Sequence, residues 1–131
     1  IMSMEKKIFL VASILGLVSV ILGAFAAHGL RDTLTTTSLE SFQTGVRYQM
    51  YHAFFLFVVG LMPQLTPAQK GRLFWLTVIG IVLFSGSIYS LATNALTPIN
   101  VAVLGPITPL GGVFLISAWG VLVGYLYKSK K

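Results

Sequence analysis

Long apolar segments dominate the hydrophobic pattern of this chain. Residues 8–27, 73–92 and 107–127 contain no charged side chain. Each matches the length of about 20 apolar residues that a helix needs to cross a bilayer. Lys6 and Lys7 before the first segment are also typical of a signal peptide, but the segment is longer than the usual hydrophobic region of about 7–15 residues. The pattern therefore predicts three transmembrane helices.

A fourth apolar segment, residues 53–62, is too short to span a bilayer alone. Extended upstream, it predicts a helix over residues 39–62 whose first half is polar. Pro63 ends this helix, because proline lacks a backbone donor and clashes with the preceding turn. The chain is thus predicted to be an all-α integral membrane protein, with residues 1–131 forming one compact bundle of four transmembrane helices.

Small residues recur at helical spacing in the predicted helices. Helix 1 carries Gly23 and Ala27, helix 3 carries Gly80 and helix 4 carries Gly120 and Gly124. Helices associate in lipid through close approach, which small residues permit. We interpret these positions as packing surfaces.

Basic residues predict the orientation of the bundle, because lysine and arginine concentrate in cytoplasmic loops. Seven of the nine basic residues fall on one predicted side: Lys6, Lys7, Lys70, Arg72, Lys128, Lys130 and Lys131. Both termini are therefore predicted to be cytoplasmic. Trp75, Tyr89 and Trp119 are expected near span ends, as aromatic residues at a membrane interface would be.

The composition excludes most soluble classes of protein. Hydrophobic residues make up 56% of the chain and charged residues 9%, and the mean hydropathy is +0.88. A soluble domain of this size has too little interior to bury so much apolar surface. The net charge of +6 lies in short runs between apolar segments, so we expect no nucleic-acid partner. The absence of cysteine excludes disulfides, thiolate nucleophiles and iron–sulfur ligation.

The polar first half of helix 2 contains the main candidate binding residues. At 100° per residue, Glu40, Arg47 and Tyr51 share one face, and Tyr48 and His52 form an adjacent row. An arginine on a membrane helix needs a partner or water. Arg47 either forms a salt bridge with an acidic residue or extends to the interface, or it binds an anionic group.

His28 is predicted at the end of helix 1. Its ring either bonds the last carbonyls of the helix, with Gly29 as a left-handed cap, or shares a pocket with His52 and titrates near physiological pH. The two histidines and the acidic residues show no recognisable metal-ligand spacing. We expect neither a metal nor a cofactor.

A segment rich in glycine and proline precedes helix 4. Its structural motif comprises Gly105, Pro106, Thr108, Pro109, Gly111 and Gly112. We expect irregular backbone here, which membranes tolerate only where it is buried in protein or faces water. Two interpretations remain: a rigid turn with Pro109 in the first helical turn, or a helix N-terminus that favours an anion.

The predicted orientation brings these features to the outer side of the membrane. We therefore predict a ligand-binding site in the outer leaflet, next to the start of helix 4, from five residues: His28, Glu40, Arg47, Tyr51 and His52. It would bind or transport a lipid headgroup, a small anionic metabolite or a proton. The alternative is a structural or accessory subunit that binds a second copy or a membrane partner protein. An enzyme is not expected, since no nucleophile motif or phosphate-binding loop is present.

Four motifs resemble the domain of unknown function 423 family: GAFAAHGL at 23–30, VRYQMYHA at 46–53, LFSGSIYSLA at 83–92 and LGPITPLGG at 104–112. The resemblance covers nearly the whole chain, with Ala26 standing where the family often has glycine. These are small bacterial inner-membrane proteins related to animal transmembrane protein 256. The resemblance implies a multi-pass plasma-membrane protein with four spans, and no reaction.

Overall fold

The computed structural model describes residues 1–130, which contain four long helices and no strand. The helices are α1 (Met4–Ala27), α2 (Thr36–Leu61), α3 (Pro67–Ala92) and α4 (Ile107–Lys128). Two single-turn 3₁₀ helices, Asn94–Leu96 and Ala102–Leu104, connect α3 to α4. The all-α prediction is confirmed, while Lys131 lies outside the described residues.

Polar caps start three helices earlier than the apolar pattern predicts. The side chains of Ser3, Thr35 and Thr66 accept hydrogen bonds from the third residue beyond each of them. Such caps satisfy backbone donors that have no partner inside the helix. The helices therefore extend into the polar residues beside each apolar segment. The predicted end of α2 before Pro63 is confirmed.

The expectation of irregular backbone over the whole glycine–proline motif is wrong. Gly105 and Pro106 precede α4, but Gly111 and Gly112 lie in regular α-helix. Pro109 sits in the first turn of α4, where the missing N–H of proline costs no hydrogen bond. Gly29 is not a left-handed cap either, since no glycine within residues 1–130 has a positive φ.

The four helices run antiparallel to their neighbours in chain order. Across residues 1–130, backbone contacts join α1 to α2, α2 to α3 and α3 to α4, with a smaller contact between α1 and α3. Helices α2 and α4 meet only through side chains. We call the end of the bundle where α2 and α4 begin the loop end, and the opposite one the terminal end.

Glycines permit the closest helix contacts. A Cβ at Gly111 would lie 2.3 Å from the backbone nitrogen of Phe84, and one at Gly80 would lie 2.6 Å from Leu115 Cδ2. Both glycines join α4 to α3. This confirms a packing role for Gly80, whereas a Cβ at Gly120 or Gly124 would meet nothing within 4 Å.

A buried lysine joins three helices at the terminal end. Lys70 Nζ donates to Gly60 O at 2.9 Å and lies 3.3 Å from Glu5 Oε2. It thereby binds an otherwise free carbonyl at the end of α2 and neutralises a carboxylate at the start of α1. A residue that the charge pattern treats as a loop cation is thus part of the packed bundle.

Three helical segments are long and apolar enough to cross a membrane: Met4–Ala27, Pro67–Ala92 and Ala102–Lys128. Their outward faces carry large apolar side chains, which suit contact with lipid. The prediction of a membrane protein is confirmed. A fourth span through α2, and the cytoplasmic position of both termini, stay predictions.

Candidate functional site

The structure does not gather the five predicted binding residues in one place. Glu40, Arg47 and Tyr51 lie exposed on α2. Arg47 Nη2 donates to Thr44 Oγ1 at 3.0 Å. Within residues 1–130 Lys70 and Glu5 form the one ion pair, so Arg47 does not form the salt bridge that was one of its three alternatives.

His28 lies far from His52. It is exposed at the end of α1, and its backbone N–H donates to Phe25 O. The end of α1 packs with Phe42 at the loop end, about 15 Å along α2 from His52 at 1.5 Å per residue. A pocket shared by the two histidines is therefore excluded.

His52 is the one predicted site residue that is buried, with 3% of its surface exposed. Its Nδ1 lies 2.7 Å from Tyr48 O, and Trp119 Nε1–H donates to its Nε2 at 3.1 Å. A carbonyl only accepts and an indole N–H only donates. These partners specify a neutral imidazole with its proton on Nδ1, and leave neither ring nitrogen free.

This histidine lines the aromatic section of a groove between α2 and α4. The section has a volume of about 300 Å³ and is lined by Tyr48, His52, Phe84, Gly112, Leu115, Ile116 and Trp119. Ring centroids lie 5.1 Å apart for Tyr48 and Phe84, and 4.5 Å apart for Phe55 and Trp119. The floor comes from α3, which separates the backbones of the other two helices.

A second cavity of about 410 Å³, which we call the hydroxyl section, lies next along α2 toward the loop end. It is lined by Thr37, Ser38, Ser41, Thr44, Ile88, Leu91, Ala92 and Thr108. Five of these residues carry a hydroxyl. Thr108 pairs with Ser87 at 2.5 Å, which holds α4 against α3. The hydroxyls of Thr37 and Ser41 make no hydrogen bond to any other described residue.

The two sections follow one another turn by turn along each helix. Tyr48 is one turn after Thr44 on α2, and Gly112 is one turn after Thr108 on α4. From Thr37 to His52 the rise of α2 is about 22 Å. We call the combined feature the α2–α4 groove; it is polar at the loop end and apolar at its inner end.

The side-chain contacts that hold α2 on both of its sides were missed from the sequence. Trp119 was expected near a span end, but it lies near the middle of α4 and donates to His52 on α2. Tyr89 does lie near the end of α3, and it also binds a side chain of α2. Tyr89 Oη donates to Gln49 Oε1 at 2.7 Å, and Gln49 Nε2 donates to Leu15 O at 2.9 Å. The sequence did offer one signal, the amide side chain of Gln49 in a helix that packs on apolar neighbours. A buried amide needs hydrogen-bond partners, so this residue indicates a contact with another helix.

Metal binding has no support in the geometry. Across residues 1–130, no three histidine, aspartate or glutamate side chains lie close enough together to hold an ion. The groove instead offers hydroxyl groups, an amphipathic histidine–tryptophan pair and apolar walls, which suit a ligand with distinct polar and apolar ends.

Comparison with known proteins identifies relatives across nearly the whole chain. Residues 22–112 match the family described as "Protein of unknown function (DUF423)". A UPF0382 membrane protein of Staphylococcus epidermidis is 42% identical over 89% of this chain and 93% of its own length. The corresponding protein of Haemophilus influenzae is 41% identical, covering 97% and 98%.

The UPF0382 inner membrane protein YgdD of Escherichia coli is 34% identical, covering 97% of this chain and 95% of its own. No solved structure matches the chain. The relatives and the three apolar helices place the protein in the bacterial plasma membrane. The chain therefore belongs to the DUF423 family of bacterial membrane proteins.

Proposed function

We propose that this protein binds a lipid-like amphiphile in the α2–α4 groove and catalyses no reaction. The observation that carries the proposal is the polarity of the groove, whose five hydroxyl residues lie at one end and whose aromatic and aliphatic residues lie at the other. An amphiphile matches such a groove along its length. A small anion would use only the polar end.

The hydroxyl section suits the headgroup. The hydroxyls of Thr37 and Ser41 are free to donate or accept, and each hydroxyl offers both roles. Arg47 lies beside this section on Thr44, and within the described chain no carboxylate neutralises it. Hydroxyls together with an unpaired guanidinium favour a phosphate-bearing headgroup, because charge-assisted hydrogen bonds are the stronger ones.

The aromatic section suits the hydrocarbon chain. Phe84, Leu115 and Ile116 present carbon, and His52 has both ring nitrogens occupied. A polar group placed against His52 would find neither ring nitrogen available and would lose its hydration. The lining residues end at His52 and Trp119, so the groove supports binding rather than transport through the bundle.

Native mass spectrometry of the detergent-solubilised protein with dioleoyl phosphatidylglycerol tests the proposal. We expect a lipid adduct that survives delipidation and weakens at least tenfold in Ser41→Leu, which fills the hydroxyl section. Ser13→Leu is the matched control, because Ser13 lies on α1 outside the groove. Equal binding by both variants would contradict the site, and inorganic phosphate binding as well as the lipid would contradict the need for an amphiphile.

A second candidate is a non-catalytic accessory subunit. Gly120 and Gly124 leave a face of α4 that touches no other described helix, and a glycine pair at this spacing permits close helix association. Disulfide trapping of Gly120→Cys in native membranes tests this role, since the chain has no other cysteine. A discrete cross-linked species would support it, whereas monomer alone would contradict it.

A further inference from the structure

We infer that Trp119 ends the α2–α4 groove and thereby sets the longest hydrocarbon chain that the ligand can carry. This inference rests on the proposed function and deepens it, because it specifies the apolar part of the ligand. A groove that ends in a rigid wall measures length, whereas an open groove accepts chains of any length.

The first step is that Trp119 crosses the gap between the two helices. Its indole belongs to α4, yet it donates to His52 Nε2 and packs on the ring of Phe55, both on α2. Along the whole described groove the backbones of α2 and α4 stay apart. The indole is therefore the part of α4 that closes the space.

The second step is that packed core lies behind this wall. Phe55, Leu56, Ala118 and Leu122 are buried in the main hydrophobic cluster, toward the terminal end. Protein interiors are close-packed, so a chain longer than the groove finds no further space. The indole is held by contacts with His52 and Phe55, while about half of the Trp119 surface stays exposed on the outer side of the bundle.

The third step concerns polarity at the wall. Because Trp119 and the carbonyl of Tyr48 occupy both nitrogens of His52, neither His52 nor the Trp119 N–H is free to bind a polar ligand group at the inner end. The group that reaches it is therefore a terminal methyl rather than a hydroxyl or carboxylate. From Thr44, beside the headgroup region, to His52 the available depth is about 12 Å along α2.

A chain-length series provides the test. Lysophosphatidylglycerols with hexanoyl, octanoyl, decanoyl, lauroyl and palmitoyl chains compete for the purified full-length protein, and native mass spectrometry reports each bound mass. We expect the wild type to disfavour chains beyond its optimum by roughly five- to a hundredfold, the cost of overfilling a packed site. Trp119→Ala should move the optimum to longer chains.

Two further variants keep the test decisive if Trp119→Ala fails to fold. Gly112→Leu places a side chain in the groove, where a Cβ meets Phe84 only at 3.8 Å, so it should move the optimum to shorter chains. Gly120→Leu, on the open face of α4, should change nothing. Trp119→Phe keeps a ring without the hydrogen bond, and should keep a preference close to the wild type.

The outcomes separate the two proposals. Binding with the same optimum in the wild type and in Gly112→Leu would overturn the length limit and leave the amphiphile site intact. Binding without any chain-length preference would also overturn it. Absence of binding to every lipid in the series would overturn the proposed function itself.

Discussion

The two sides of α4 differ sharply in how they meet the rest of the bundle. On the α3 side, Gly111 and Gly80 bring the helices so close that a methyl group would overlap Phe84 or Leu115. On the α2 side, the backbones stay apart, and Trp119 alone reaches across to hydrogen-bond. One side is a closed seam, and the other is the α2–α4 groove.

This contrast shows what each side is suited for. Lipid is as apolar as leucine, so helices in a bilayer associate through close packing and hydrogen bonds rather than through hydrophobic burial. The seam uses glycines for that packing. The groove contains Gly112, but a Cβ there would meet Phe84 only at 3.8 Å. Hydroxyls and rings line the remaining volume, which a ligand can fill.

The largest expected effect comes from adding a methyl group to the closely packed seam between α3 and α4. Gly111→Ala places a Cβ 2.3 Å from a backbone nitrogen of α3, so two helices must separate. We expect a loss of about 1–3 kcal/mol or more in the free energy of unfolding. Thermal unfolding in detergent measures it, with Gly120→Ala as control, because a Cβ there meets nothing; equal stability of both variants would show that the seam is looser than described.

The next effect concerns the closed side of α2, opposite the groove. Gln49→Leu removes the acceptor of the Tyr89 hydroxyl and the interhelical donor to Leu15 O. We expect a loss of about 1–3 kcal/mol. Gln43→Leu on the same helix makes neither bond and should be nearly neutral in the same unfolding assay. A harmless Gln49→Leu would mean that this network does not hold α1 to α3.

A smaller effect is expected across the groove. Trp119→Phe removes one hydrogen bond, and single bonds between membrane helices contribute about 0.6 kcal/mol on average. Trp75→Phe serves as control, since Trp75 lies on α3 away from the groove. If Trp119→Phe destabilised as strongly as Gly111→Ala, the contrast between seam and groove would be lost.

The smallest effect is expected at Arg47. Its guanidinium is exposed and bonds only to Thr44 on its own helix, so Arg47→Gln should change the free energy of unfolding by no more than about 0.5 kcal/mol. The same variant should weaken binding of phosphatidylglycerol in the mass-spectrometric assay. A marked loss of stability would instead assign Arg47 a structural role.

The helices were predictable to within a few residues, but the site was only partly so. Apolar length and Pro63 identify the elements, because both act locally. His52 was predicted as a member of an outer-leaflet cluster and is the buried one of the five, yet its partner Trp119 was assigned to the membrane interface. The two are separated by 67 positions, and no local pattern specifies that one helix face turns toward another.

Charge complementarity was the least reliable guide. Glu40 and Arg47 share a helix face in the wheel, but they lie two turns apart, and Arg47 bonds to Thr44 instead. Lys70, treated as a loop cation, is buried with Glu5 because α1 and α3 start side by side. Sequence spacing predicts which residues share a helix face, whereas the pairing of charged side chains depends on which helix ends meet in the bundle.

The sequence by itself determined that this is a helical membrane protein, which helices it forms and which family it belongs to. These properties follow from apolar length, from capping residues and from motifs, all of which are encoded within short segments. The tertiary structure alone decided that α3 would separate α2 from α4 and that hydroxyls and rings would line the resulting groove. That outcome depends on the close approach that Gly80 and Gly111 permit, because helix packing is set by the shapes of both surfaces together.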